Sequence, residues 1–152
     1  MFKHILVPTD GSTLSTGTAK KAVDFARETG ARITCFYARP DYPVAFYGEG
    51  ALIDPTTPEK FAEMAEKQAN EILDAAQALA ATAGVPCASA AATSDAPYQA
   101  IIDAATTNGC DLIFMASHGR RGVAALARDG YIRAIGPQRM LARQDWIYDW
   151  RV

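Results

Sequence analysis

Residues 4–12 read HILVPTDGS. An apolar run containing β-branched residues is stopped by Pro8 and followed by Thr9-Asp10-Gly11-Ser12, the composition of a turn. From Thr13 to Thr29, Ala19, Ala22, Val23 and Ala26 recur at helical spacing, and Gly30 follows as a C-terminal stop. The reading is strand, turn, helix. A strand that is apolar throughout, rather than alternating, is one buried on both faces, which places it in a parallel sheet covered by helices.

The same alternation continues along the chain. Residues 32–38 (RITCFYA) read as a second strand, followed by a loop lasting until about Thr57. Such a length marks residues 42–54 either as a lid or partner-contacting segment or as a plain surface excursion. Thr57-Pro58-Glu59 brings a capping residue, a first-turn proline and an acid in helix-opening order, and Phe61, Ala65, Ala69, Ile72 and Ala76 carry one face onward to Gly84. Residues 86–93 (PCASAAAT) are a third strand of poor intrinsic propensity. Ser94 or Asp95 is expected to cap a third helix with Pro97 in its first turn, ending at Asn108-Gly109, and residues 110–116 (CDLIFMA) form strand four.

At 152 residues the chain suits one domain spanning residues 1–152. A composition 49% hydrophobic and 21% charged, without an apolar run near membrane-spanning length, excludes a transmembrane role. The short apolar stretch of MFKHILVPTDG does not make a secretory signal, so a cytoplasmic location is expected. A net charge of -2 lacks the basic excess of a general nucleic-acid binder. Cys35, Cys87 and Cys110 are widely spaced and without C-x-x-C pairing, and they read as small buried apolar residues. Two histidines cannot make a His-rich metal site, and no metal ligand set is expected.

In an open parallel sheet, ligands bind beyond the carboxyl ends of the strands where the winding reverses. If strands one and four are neighbours there, Asp10 faces the segment Ser117-His118-Gly119-Arg120-Arg121-Gly122 across one crevice. A carboxylate opposite a glycine-bearing loop suits a nucleotide: the acid accepts from ribose hydroxyls, and backbone N–H groups hold phosphate. Gly119 and Gly122 let the backbone approach an oxyanion, Ser117 and His118 supply donors, and Arg120 or Arg121 adds charge. Each residue also has a plainer use. Asp10 can form an Asx turn, the glycines can be turn residues, His118 a loop hydrogen-bonder and the arginines solvated.

Together, ILVPTDGS near the start and IFMASHGRRG after strand four resemble the universal stress protein family, over residues 1 to about 126. The resemblance implies a single doubly wound, Rossmann-like α/β domain, with a parallel five-stranded sheet and helices on both faces, that forms a homodimer. Many members bind ATP or AMP, with Mg2+ a possible companion of ATP, and act in the stress response; others bind no nucleotide. By position, Pro8, Thr9 and Asp10 match the adenine- and ribose-contacting segment, and Ala38 matches a backbone contact to the base. Met115, Ala116, Ser117, His118, Gly119 and Gly122 match the first half of the phosphate loop, beside Arg120.

The second half departs from the family. Binding members continue from G-x-x-G through nine residues to Gly and then Ser or Thr, and here that count falls on Ile132-Arg133. Gly130 and Gly136 are followed by Tyr131 and Pro137, so neither brings a hydroxyl. The family ends in an aliphatic fifth strand, whereas this chain ends in Gln144 to Val152 with both tryptophans, an atypical tail over residues 127–152. Either an aromatic edge segment replaces the aliphatic strand, or the residues after about Ala127 derive from a shifted reading frame.

No residue set supplies a base, a nucleophile and an orienter, and the Walker-type G-K-[ST] is absent. The expectation is a nucleotide-binding stress protein, not an enzyme, with no catalytic residue. The alternative is a dimeric scaffold or interaction protein of the same fold that binds no nucleotide.

Overall fold

The computed structural model describes residues 1–42 and 57–115, together with the backbone of three short strands at 132–134, 139–143 and 146–150. The order is β1 (His4–Pro8), α1 (Thr13–Thr29), β2 (Arg32–Arg39), α2 (Pro58–Thr82), β3 (Cys87–Thr93), α3 (Pro97–Thr107), β4 (Leu112–Ile113), β5 (Ile132–Ala134), β6 (Arg139–Arg143) and β7 (Trp146–Trp150).

Helix boundaries follow local chemistry. Ser12 caps α1 by accepting from the Ser15 N–H at 3.2 Å, and Gly30 ends it in the left-handed region at φ 72°. Thr57 caps α2 by accepting from the Lys60 N–H at 3.3 Å, with Pro58 in the first turn. The cap of α3 is a correction. It is Ala96, without a side-chain bond, and not Ser94 or Asp95. Pro97 keeps the residue before it out of helical geometry, so Ala96 (φ -116°, ψ 77°) must be the flanking residue. Ser94 Oγ instead accepts from the Ala96 N–H at 3.0 Å, shaping the turn that leads in.

The sheet order is β3-β2-β1-β4-β5-β6-β7. The first four strands are parallel, with Ile5 beside Ile33 on one side and beside Leu112 on the other. The winding reverses between β1 and β4, as expected of a doubly wound α/β sheet. Beyond β4 the parallel run stops: β5, β6 and β7 add antiparallel, and β7, which contains both tryptophans, is outermost. Strand four is also shorter than the stretch 110–116. The Cys110 N–H is taken by the Ala105 carbonyl at the end of α3, while Asp111 N–H to His4 C=O and Phe114 N–H to Leu6 C=O continue the ladder on either side of Leu112–Ile113.

Strand alternation splits β1 between two cores. Ile5 and Val7 join Ala22, Ile33 and Leu73 beneath α1 and α2; Leu6 joins Phe36, Ile101 and Ile113 beneath α3. Ile5 and Leu6 are both 0% exposed, which explains why the strand is apolar without interruption. Burial of each such side chain stabilises the fold by roughly 1.5–3 kcal/mol. Among the described residues, no helix is long and apolar enough to cross a membrane, and no cluster of three or more His, Cys, Asp or Glu could hold a metal.

Candidate functional site

The carboxyl ends of β2, β1 and β4 lie side by side, because β1 pairs with both neighbours in parallel. Pro8, Thr9 and Asp10 therefore sit between Ala38 at the end of β2 and Met115 beyond β4. Ala38 and Met115 are half-buried and pack against the core beneath α3.

The turn after β1 is held by hydroxyl groups. Thr9 is buried; its N–H donates to the Phe36 carbonyl at 2.9 Å, adding one rung past Pro8. Thr9 Oγ1 lies 3.1 Å from Ser15 Oγ and accepts from the Gly11 N–H at 3.3 Å. Ser15 Oγ in turn accepts from the Asp10 N–H at 3.4 Å and from the Ser12 hydroxyl at 3.3 Å. The spacing S-x-x-S was the visible signal of this network, beyond the capping role of Ser12.

Asp10 is exposed, and its Oδ1 accepts from the Ser12 N–H at 2.9 Å in an Asx turn. Partial burial alone would raise its carboxyl pKa. Hydrogen bonding by Ser12 and Ser15 outweighs that effect and holds it below the usual value. The group is thus an ionised acceptor at neutral pH. Tyr37, which sequence reasoning passed over as a strand residue, feels it: burial first and the Asp10 charge second push its phenol pKa upward.

Gly11 adopts φ 75° and lies against α2, where a β-carbon would come within 2.9 Å of Ile72 Cγ1. Glycine is required here both by backbone conformation and by close approach. On β2, Ala38 follows Phe36 by two residues, so its N–H and C=O lie on the side facing β1. The Thr9 rung is the last backbone bond between β1 and β2 among the described residues. The peptide groups of Ala38 therefore extend past the end of the β1–β2 ladder.

Ala116, Ser117, His118, Gly119, Arg120 and Gly122 lie outside the described residues, as does nearly all of the loop at 42–54. Tyr42, at the start of that loop, packs edge-on against Phe61 of α2, with ring centroids 5.4 Å apart. The cysteines were misread in part. Cys35 and Cys110 are buried, but Cys87 is only half-buried, and its Sγ lies 3.5 Å from that of Cys35. Parallel pairing of β2 and β3 brings the two together, a contact that linear spacing does not reveal.

Comparison with known proteins agrees with this architecture. A universal stress protein of Methanocaldococcus jannaschii is 28% identical over 124 residues, covering 81% of this chain and 69% of the relative. A crystal structure of a universal stress protein family member from Burkholderia pseudomallei superposes with a TM-score of 0.64 at 24% identity, over 82% of this chain and 86% of that one. A universal stress protein in complex with cAMP superposes with a TM-score of 0.58 at 21% identity, over 82% and 83%. The profile of the universal stress protein family matches residues 1–129, and the chain belongs to that family.

Proposed function

We propose that this protein binds an adenine nucleotide at the carboxyl ends of β1 and β4 and serves as a non-catalytic, homodimeric, cytoplasmic stress-response protein. The observation that carries this reading is the pairing of Ile5 with Leu112 and Leu6 with Ile113, which sets the Asp10 turn beside the segment that leaves β4. The similar protein solved with cAMP supports the ligand class.

The residues fit the ligand. Asp10 keeps an ionised carboxylate exposed, with Oδ1 held by the Ser12 N–H, and the carboxylate is the acceptor for a ribose hydroxyl. The Ala38 peptide meets the edge of the base, with Pro8 and Thr9 lining the approach. Met115, Ala116, Ser117, His118, Gly119, Arg120 and Gly122 hold the phosphates, and Mg2+ would accompany ATP there. Bound nucleotide would supply a regulatory ligand; the chain's own residues orient it.

One observation favours a second reading, a scaffold that binds no nucleotide. The family match stops at residue 129, before the position where binding members complete the phosphate loop. Titration calorimetry with AMP, ADP and ATP, together with thermal shift, separates the two. Nucleotide binding raises Tm through linkage, by about 2.7 kcal/mol of stability at a hundredfold excess over Kd. An incomplete phosphate site predicts similar affinity for all three nucleotides, and absence of heat and shift at millimolar concentration refutes nucleotide binding.

A further inference from the structure

Cys35 and Cys87 are 52 residues apart in sequence and in contact in the fold. The β2–β3 register sets Ile33 beside Cys87 and Cys35 beside Ser89, so the two cysteines are diagonal neighbours on the sheet face covered by α1 and α2. Their sulfurs, 3.5 Å apart, are at van der Waals contact. A disulfide at about 2.05 Å requires them to close by about 1.5 Å. The place suits such a movement. Cys87 is the first residue of β3, which among the described residues is the terminal strand on its side of the sheet, so its shift displaces no described strand beyond it.

The two thiols are not equivalent. Cys35 is 2% exposed, while Cys87 reaches the surface, with its Sγ 3.4 Å from the Ala88 carbonyl. A hydrogen bond from Cys35 lowers the pKa of Cys87 against the opposing effect of burial. The same contact, reinforced by burial, raises that of Cys35. Cys110 is the internal contrast: buried at the end of α3, its thiol is pushed up to about 11, first by burial and then by the Asp111 charge.

We propose that Cys35 and Cys87 form a peroxide-responsive dithiol, in which Cys87 is oxidised first and Cys35 resolves it into a disulfide joining β2 to β3. The Cys87 thiolate attacks one oxygen of hydrogen peroxide, the O–O bond breaks, and Cys87 becomes a sulfenic acid. The departing hydroxide takes up the proton lost by Cys87 and leaves as water. Cys35 then attacks the Cys87 sulfur; the S–O bond breaks, the S–S bond forms, and the oxygen leaves with the Cys35 proton as a second water. Two thiols and one peroxide give one disulfide and two waters, and the sulfurs surrender the two electrons that peroxide accepts. This site is independent of nucleotide binding.

The test uses the full chain, reduced and then exposed to hydrogen peroxide, alkylated after denaturation and mapped by mass spectrometry. The expected product has lost two hydrogen masses, contains a Cys35–Cys87 linked peptide, retains an alkylated Cys110 and returns to three free thiols with dithiothreitol. Cys87 is expected to react roughly tenfold or more faster than Cys110. Cys35→Ala is expected to stop at a Cys87 sulfenic acid that dimedone captures, and Cys87→Ser to leave Cys35 reduced. Mapping of the unmutated chain decides the matter even if a variant fails to fold. Three free thiols after peroxide, or a link formed through Cys110 or only between molecules, overturns the proposal.

Discussion

Gly11 is wedged against Ile72, with room for a hydrogen but not for a methyl group: a β-carbon would sit 2.9 Å from Ile72 Cγ1 and 3.1 Å from Cδ1. Gly11→Ala must distort either a backbone at φ 75° or the seat of α2, and is expected to destabilise the protein by about 1–3 kcal/mol. Chemical denaturation measures it. An unchanged midpoint would mean that the turn and α2 separate freely.

Gly17 offers the opposite case. It is exposed within α1, with nothing within 4 Å of an added β-carbon and an ordinary negative φ. Gly17→Ala is expected to stabilise by about 0.5–1 kcal/mol, read as a raised Tm.

Asp111 joins the start of β4 to the start of β1. Its carboxylate accepts from the Lys3 N–H at 2.8 Å and the His4 N–H at 3.0 Å. Asp111→Ala is expected to cost about 1.5–3 kcal/mol, and Asp111→Asn, which keeps one acceptor, roughly half as much. Equal stability of all three proteins in urea would show that water replaces both bonds without loss.

His4 makes stability depend on pH. Burial, with the Arg32 charge acting in the same direction, lowers its pKa in the fold from 6.5; Asp111 opposes this, and Nε2 pairs with Thr34 Oγ1 at 2.8 Å. The unfolded chain therefore binds the proton more readily. Stability from the neutral imidazole is present above about 6.5 and is lost as pH falls through the folded value, with a slope of at most about 1.4 kcal/mol per pH unit. Unfolding free energies of the wild type and His4→Gln between pH 7.5 and 5 should diverge accordingly. Parallel curves would remove His4 from the account.

Asp10 has a structural use and a proposed binding use, and two variants separate them. Asp10→Asn keeps an acceptor for the Ser12 N–H but loses the charge; Asp10→Ala loses both. Both are expected to weaken AMP binding by about tenfold or more, since a hydrogen bond to a charged group contributes about 1.5–3 kcal/mol. Only Asp10→Ala should also lower Tm. Calorimetry giving Asp10→Asn full affinity would assign Asp10 to the turn alone.

Much of this was readable because short-range chemistry and fold agree. Pro8, Ser12, Gly30 and Thr57 each mark a boundary by a local rule, and the bounds of β1 and α1 match the sequence reading. The neighbourhood of β1 and β4 followed from the rules of winding. Where two local signals competed, the reading failed: a hydroxyl at Ser94 and a ring at Pro97 both mark a helix start, and the steric effect of the ring on Ala96 prevailed. Contacts across strands were invisible in principle. Neither the Cys35–Cys87 pair nor the approach of Gly11 to Ile72 leaves any trace in linear spacing.

The central position of β1 has a consequence for how the molecule comes into being. Residues 4–8 leave the ribosome well before Leu112 and Ile113, the residues that close one flank of that strand. Until those residues emerge, the nascent chain carries the open edge of a largely apolar strand, the kind of surface that invites pairing with the wrong partner. Assembly is therefore gated by translation, and chaperone demand should be greatest in the interval between synthesis of β2 and of β4.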